Sequence, residues 1–261
     1  MFAASSVSRK FLKPLVAGFL TLAAGCAGLP TFGADLGKQE VAGQEVRAPY
    51  TSVMSYYGYV APGAEPDEMR DGKKMYYLYL WVPAVAPEIG VRMLSPVKNL
   101  AKADPKKDFI DPAYMANKDS DAYFDTWVRF ERCLAAVNPE DITKPCAQWV
   151  TFGENDDSSE LPANPGGQKY NSVLRVATSA DDPLKALVRG MYRVAFTTYK
   201  VGEVQGTFLA QVGAPVDLPG TAIARNPADL AKAVAEKSAP APAATSSVGG
   251  SSTVQPAAAA K

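Results

Sequence analysis

The middle of this 261-residue chain consists mainly of short apolar and aromatic runs. Few segments in it have the longer apolar periodicity of an amphipathic helix. Residues 75–82 alternate two apolar sets: Tyr76, Leu78 and Leu80 on one face, and Tyr77 and Tyr79 on the other. A strand with apolar residues on both faces is typical of the centre of a sheet. Further strands are predicted at residues 55–60, 124–132, 169–177, 191–199 and 204–212. Most of the tyrosines in these strands are expected in the core or in cross-strand pairs.

The last two of these strands are separated by residues 200–203, with Gly202 in the turn, which predicts a β-hairpin.

Sequence patterns for the start of a helix are fewer than those for strands. Asn138-Pro139 and Asn226-Pro227 have the cap and N1 proline of a helix start, and Asp182-Pro183 opens a third, shorter one. The second helix is predicted to extend to about Lys237. Many strands with few helices favour an antiparallel β-sandwich with peripheral helices.

The N-terminus predicts export and lipid attachment. Arg9, Lys10 and Lys13 precede an apolar run at residues 15–24, which is too short to span a bilayer and reads as a signal peptide. Small residues then lead to Cys26, whose thiol would take a diacylglyceryl group after cleavage of residues 1–25. The alternative is an ordinary secretory signal with a chance cysteine. Because Ala27, and not an aspartate, follows the cysteine, the outer membrane is the favoured address. Which side of that membrane the body faces does not follow from this residue; a surface-exposed body is expected over a periplasm-facing one.

Between the membrane and the body, residues 26–48 are expected to form a tether, and residues 49–237 one domain. Residues 238–261 are almost entirely Ala, Pro, Ser, Thr and Gly. Such a segment buries too little apolar surface to offset its ordering entropy, so it is predicted to be disordered.

Composition excludes several classes of active site. The chain has no histidine, which removes Ser-His-Asp and Cys-His catalysis and His-ligated zinc. Loss of residues 1–25 removes three of 27 basic residues and none of the 27 acidic ones, so no basic surplus favours nucleic acid. A non-enzymatic protein is therefore predicted. Cys133 and Cys146 form an even pair in an exported chain, either as a disulfide or as two buried thiols.

Several motifs together resemble those of the family of the major outer-membrane surface lipoprotein of Leptospira and its homologues in marine bacteria. In chain order they are YYGYV at 56–60, YYLY at 76–79, GVRM at 90–93, FDTW at 124–127, KYNS at 169–172, LVRGMYR at 187–193 and FTTYK at 196–200. The resemblance implies a jelly-roll-type β-sandwich, a tendency to form homodimers, a calcium site, and adhesion to extracellular-matrix proteins such as laminin, collagen and fibronectin.

The family's calcium ligands fall on Asp125, Thr126, Asp156, Asp157 and Tyr170. Calcium takes six to eight oxygen ligands, and three carboxylates, a threonine and a tyrosine oxygen suit it. The alternative is that the acidic segment 154–160 is simply solvated. In sequence, the two remaining cysteines lie between the two ligand clusters, so a bridge between them is expected to stiffen the approach to the site.

Three functions follow as hypotheses. The first is a calcium-binding surface lipoprotein that acts as an adhesin or envelope component. The second is a periplasm-facing structural lipoprotein with no external ligand. The third is a calcium-dependent hydrolase that uses carboxylates, against which stands the lack of a nucleophile–base pair.

Overall fold

The computed structural model describes residues 37–41, 44–48 and 50–238. The predicted signal peptide at residues 1–25 and the predicted lipid site Cys26 lie outside the described residues. So does the predicted disordered segment 238–261, except for Ser238, which is helical. The strands are β1 (Gly37–Val41), β2 (Gln44–Ala48), β3 (Ser52–Val60), β4 (Glu68–Arg70), β5 (Lys73–Val82), β6 (Glu88–Leu94), β7 (Phe109–Ile110), β8 (Thr126–Cys133), β9 (Trp149–Asn155), β10 (Ser172–Ala177), β11 (Gly190–Thr198), β12 (Gly206–Ala214) and β13 (Ala222–Ala224). The α-helices are α1 (Pro112–Asn117) and α2 (Pro227–Ser238). One-turn 3-10 helices span Lys98–Leu100, Pro139–Asp141 and Pro183–Lys185.

Eight of the strands form the two sheets of a jelly roll. One sheet has the order β10-β6-β12-β3 and the other β5-β11-β8-β9. Taken in chain order, the first of the eight strands pairs with the last, the second with the seventh, the third with the sixth and the fourth with the fifth. This nested pairing is that of a long hairpin wound into a double sheet. The edges are extended by β7, β4 and β13. The predicted fold class is confirmed.

Aromatic side chains from the two sheets meet in the middle of the sandwich. Phe196 of β11 and Phe208 of β12 lie on opposite sheets, with ring centroids 4.8 Å apart. Tyr76 of β5 packs against Phe196 at 5.7 Å, and Tyr56 of β3 packs against Phe208 at 6.1 Å. All four side chains are buried. Such ring pairs stabilise a core beyond the apolar area that they remove from water, which is why tyrosines serve here as interior residues.

The prediction of a central strand at residues 75–82 is confirmed. The strand β5 lies between β13 and β11, and its inward set of side chains, headed by Tyr76, faces the other sheet. Its outward set includes Tyr77 and Trp81, which are also buried. Trp81 packs beneath α2 together with Leu230 and Val234. The helix α2, together with the loop that follows β8, therefore covers the part of the outer face around Trp81.

The predicted hairpin of residues 191–199 and 204–212 is wrong. The first strand, β11, pairs with β5 and β8, whereas β12 pairs with β3 and β6 in the opposite sheet. Residues 199–205 therefore cross from one sheet to the other. The crossing ends at Gly206, where φ is +104° and an added Cβ would meet the carbonyl oxygen of Ala122, so glycine is required there.

Of the three predicted helices, only the one that starts at Asn226-Pro227 is an α-helix. Asn226 accepts a hydrogen bond from the backbone N–H of Asp229 at 2.9 Å and caps α2. The helix expected from Asn138 is one 3-10 turn, because Pro145 lies four residues after it and a residue before proline disfavours helical backbone. The start at Asp182 likewise gives a single 3-10 turn. The helix α1, capped by Asp111, was not predicted.

In the predicted tether, β1 and β2 form an antiparallel pair in which Gly37 lies opposite Ala48. Among residues 37–41, 44–48 and 50–238, no helix is long and apolar enough to cross a membrane.

Candidate metal centre

The two acidic clusters named from the sequence lie at the same end of one sheet. Asp125 immediately precedes β8, and Asp156 and Asp157 immediately follow β9. These two strands are antiparallel neighbours, with Val128 opposite Asn155. Because the start of one strand adjoins the end of its antiparallel partner, residues about 30 positions apart in sequence come together.

Thr126 and Tyr170 are joined by two hydrogen bonds. The backbone N–H of Thr126 donates to the carbonyl oxygen of Tyr170 at 3.0 Å, and the Thr126 hydroxyl donates to the same oxygen at 3.2 Å. Ser172 adds a third contact, since its hydroxyl donates to the carbonyl oxygen of Thr126 at 2.6 Å. Thr126 and Ser172 are fully buried. These bonds fix the start of β8 against the start of β10.

The charges in this region repel one another. Burial, followed by the nearby carboxylates of Asp157 and Asp156, raises the pKa of Asp125 to about 6, and Lys200 and Lys73 only partly oppose the rise. The pKa of Asp157 is also raised, by burial and then by Asp156. An acid whose pKa rises in this way is held where its charge is unfavourable.

One oxygen of Asp125 has no partner. Its Oδ1 atom is buried and lacks a hydrogen bond, whereas its backbone carbonyl accepts from the N–H of Tyr199 at 3.1 Å. A buried polar atom without a partner costs free energy unless an ion or water satisfies it. A divalent cation would satisfy Oδ1 and also neutralise the like charges around it. The donor set of carboxylate oxygens suits calcium or magnesium better than zinc.

The three carboxylates are neighbours but do not form a closed cage. Within the described part of the chain, no group of three or more Asp, Glu or Cys side chains is arranged to hold a metal ion. Backbone carbonyls, hydroxyls and water would have to complete a calcium shell of six to eight oxygens.

Two residues of the KYNS motif that had no predicted role hold the region together. Asn171 is fully buried; its side-chain amide donates to the carbonyl oxygen of Pro162 at 2.7 Å, and its Oδ1 accepts from the backbone N–H of Ser95 at 2.9 Å. It thereby links the loop before β10 to the end of β6. Ser172 is the second residue. Their position beside Tyr170 in one motif is the sequence signal that could have indicated them.

The two cysteines are bonded, but far from the acidic cluster. Cys133 and Cys146 form a disulfide with 5.9 Å between their Cα atoms. Cys133 is the last residue of β8, whereas Thr126 is the first. At about 3.3 Å per residue, these two ends of the strand lie roughly 23 Å apart. The expectation that the bridge stiffens the approach to the metal site is therefore wrong, because sequence position between two clusters does not place a residue between them in space.

A buried ion pair lies on the outer face of the same sheet. The guanidinium Nε of Arg193 donates to Glu131 at 2.6 Å, and both side chains are almost inaccessible to solvent. The guanidinium is enclosed between the rings of Tyr77 and Trp149, 4.0 Å from each centroid. Stacking between two aromatic rings and a carboxylate partner compensates the buried charge. This arrangement explains how the charged side chain of Arg193 can be buried. The sequence alone had predicted no role for this residue.

Comparison with protein-family models identifies a related family. A family model described as "Lipl32: Surface lipoprotein of Spirochaetales order" matches residues 44–223. A search of curated proteins finds no match to this chain.

Proposed function

The chain belongs to the LipL32 family of surface lipoproteins, and from this membership we propose that it is a calcium-binding lipoprotein of the outer membrane, held there by lipid on Cys26. The surface-lipoprotein role is the family's description. The lipid site, the calcium ion and any adhesive partner are proposed in addition to that description. The family's description gives no support to the third hypothesis, a calcium-dependent hydrolase.

The calcium proposal is carried by one observation, the buried and unpartnered Oδ1 of Asp125 beside two further carboxylates. Asp125, Asp156 and Asp157 would supply the charged oxygens. Thr126 and Tyr170, which bond to each other, belong to the same group. They would position the segment that carries Asp125, and a further oxygen from either would complete the shell. Bound calcium would supply positive charge where three negative charges now meet.

Isothermal titration calorimetry of the purified chain with calcium tests the site. The double variant Asp156→Ala/Asp157→Ala is expected to lose the binding heat. The matched control is Asp181→Ala/Asp217→Ala, which removes the same charge from exposed positions at the opposite end of the sandwich. Absence of binding heat in the unmodified chain, or equal heat in both double variants, would contradict the proposal.

The proposed anchor is tested by Cys26→Ser. Because a diacylated cysteine supplies the apolar contact with the bilayer, the variant is expected to leave the membrane fraction. Labelling of the unmodified chain with palmitate is the direct readout. A variant that stays in the membrane fraction would mean that something other than lipid at this residue retains the protein.

Adhesion to matrix proteins is proposed from the family resemblance. Solid-phase binding of the chain to laminin, collagen and fibronectin, with calcium and with chelator, tests it. Protease treatment of intact cells tests exposure at the surface. If the body is degraded only after the outer membrane is broken, it faces the periplasm and the adhesive proposal fails.

A further inference from the structure

The chain enters the sandwich at the end opposite the candidate metal centre. The backbone N–H of Thr51, just before β3, donates to the carbonyl oxygen of Ala214, the last residue of β12, at 3.0 Å. Four connections lie at this end: residues 83–87, 134–148, 178–189 and 215–221. Two of them are tied together, since the N–H of Ala86 donates to the carbonyl oxygen of Leu187 at 2.9 Å. We name this surface the entry end.

The entry end exposes aliphatic side chains in several of its connections. Val85 is 65% exposed and Leu184 is 51% exposed. Other exposed aliphatic residues here are Val53, Val137 and Val216. The connection at residues 83–87 reads Pro-Ala-Val-Ala-Pro and has no charge. Single exposed apolar residues are ordinary, but a group of them at one end indicates contact with something apolar.

Little chain separates this end from the proposed lipid. In the antiparallel pair of β1 and β2, Gly37 lies opposite Ala48, so residues 38–47 double back and add almost no length. Residues 27–36 and residue 49 are left to span the gap between Cys26 and the body. Eleven residues reach about 40 Å at full extension, and less otherwise. The entry end is therefore the part of the sandwich that the anchor brings nearest to the bilayer.

We propose that the entry end lies on the lipid surface of the membrane that holds the chain, with Val85 and Leu184 in contact with the lipid. This inference depends on the proposed lipid at Cys26. The contact is apolar and not electrostatic, because the four connections carry no positive surplus: three cations (Lys144, Lys185 and Arg189) stand against five carboxylates (Glu140, Asp141, Asp181, Asp182 and Asp217). Tethering makes weak contacts sufficient, since it replaces a bimolecular encounter by an intramolecular one. The candidate metal centre then faces away from the membrane.

The test uses the full lipidated chain in vesicles of zwitterionic phosphatidylcholine. An environment-sensitive fluorophore is attached at Val85→Cys, with Val201→Cys as the matched control. Val201 is a similarly exposed valine that follows β11 at the metal-centre end. Vesicles with brominated acyl chains are expected to quench the label at position 85 at least twofold and to leave the label at position 201 unchanged. Raising the ionic strength is expected to have no effect. Adding Leu184→Asp to the Val85→Cys chain is expected to reduce the quenching.

Each outcome is decisive. Chain that floats with the vesicles but shows no quenching at position 85, or equal quenching at both positions, overturns the inference while the anchor stands. A label at position 85 that is shielded only at high protein concentration, and without bromine quenching, assigns the entry end to a second copy of the chain and also overturns it. Failure of the unmodified chain to float refutes the proposed anchor, and this inference falls with it.

Discussion

Asp125→Asn separates the folding role of this residue from its proposed role in metal binding. The substitution keeps the shape of the side chain and removes its charge. In the calcium-free protein that charge is unfavourable, because it is partly buried and lies near Asp156 and Asp157. We therefore expect the variant to be more stable than the unmodified chain in chelator. In saturating calcium the order should reverse, since the ion requires the carboxylate.

The size of the effect follows from the pKa. A rise from the ordinary value of 3.8 to about 6 corresponds to about 3 kcal/mol at neutral pH, at about 1.4 kcal/mol for each pKa unit. Because the carboxyl group is only partly buried, screening by solvent reduces this to about 1 kcal/mol. Calcium at a hundred times its dissociation constant would add about 2.7 kcal/mol to the stability of the unmodified chain, and far less to the variant.

The pH dependence has a definite sign. A carboxyl group whose pKa is higher in the folded state binds its proton more tightly there, so its contribution to stability is fully present below the unfolded pKa. That contribution is lost as the pH rises through about 6, the folded value for Asp125. In chelator, the stability advantage of Asp125→Asn should therefore grow between about pH 4 and pH 7.

Urea denaturation followed by tryptophan fluorescence, in chelator and in calcium, measures these differences. The matched control is Asp181→Asn, an exposed aspartate at the entry end, which should leave the free energy of unfolding unchanged in both conditions. The reasoning is refuted if Asp125→Asn is less stable than the unmodified chain in chelator, or if calcium stabilises both to the same extent.

Three further predictions concern the scaffold. Arg193→Met removes the closer of the two arginine partners of the buried Glu131 and leaves it the longer contact with Arg70, so it should lower the free energy of unfolding by about 3 kcal/mol in urea denaturation, the lower end of the range for a broken buried pair, and a loss below about 1 kcal/mol would contradict this. Replacing Cys133 and Cys146 by serine opens a loop of sequence separation 13 and should lower the free energy of unfolding by about 3 kcal/mol; a thermal melt unchanged by reductant would contradict this. Gly206→Ala places a Cβ against a backbone carbonyl at a positive φ, so the folded yield should fall sharply, whereas an unchanged melting temperature would show that the crossing can relax.

The strands could be located from the sequence because each needs only local information. Apolar residues on both faces of residues 75–82 indicated a central strand, and the structure places β5 between two neighbours. Which strands pair with each other could not be predicted in the same way. The turn around Gly202 has the composition of a hairpin turn, yet β11 and β12 belong to opposite sheets. A local pattern describes a turn, whereas the sheet that each strand joins depends on pairing with strands that are distant in sequence, which places Phe196 and Phe208 face to face across the core.

At the candidate metal centre, too, local sequence patterns predicted the residues, and only the tertiary structure showed how they are arranged. The acidic residues were named from motifs, but nothing in their spacing shows that Asp125 and Asp156 adjoin. The pairing of β8 with β9 brings them together, and it also carries Cys133 to the far end of the strand. The contacts of Arg193 and Asn171 are with residues that are distant in sequence, so the KYNS motif could indicate Asn171 as a candidate but not which groups it binds.

By itself, the sequence determined that the chain is built of strands, that it lacks histidine chemistry and that it begins with the pattern of an exported lipoprotein. Only the tertiary structure decided which strands meet, which carboxylate oxygen is left buried without a hydrogen bond, and at which end of the sandwich the chain enters β3. The physical reason is that alternation and composition act over a few residues. Desolvation of Asp125, the ion pair of Arg193 and the nested pairing of the jelly roll arise from groups that meet only when the whole chain has folded.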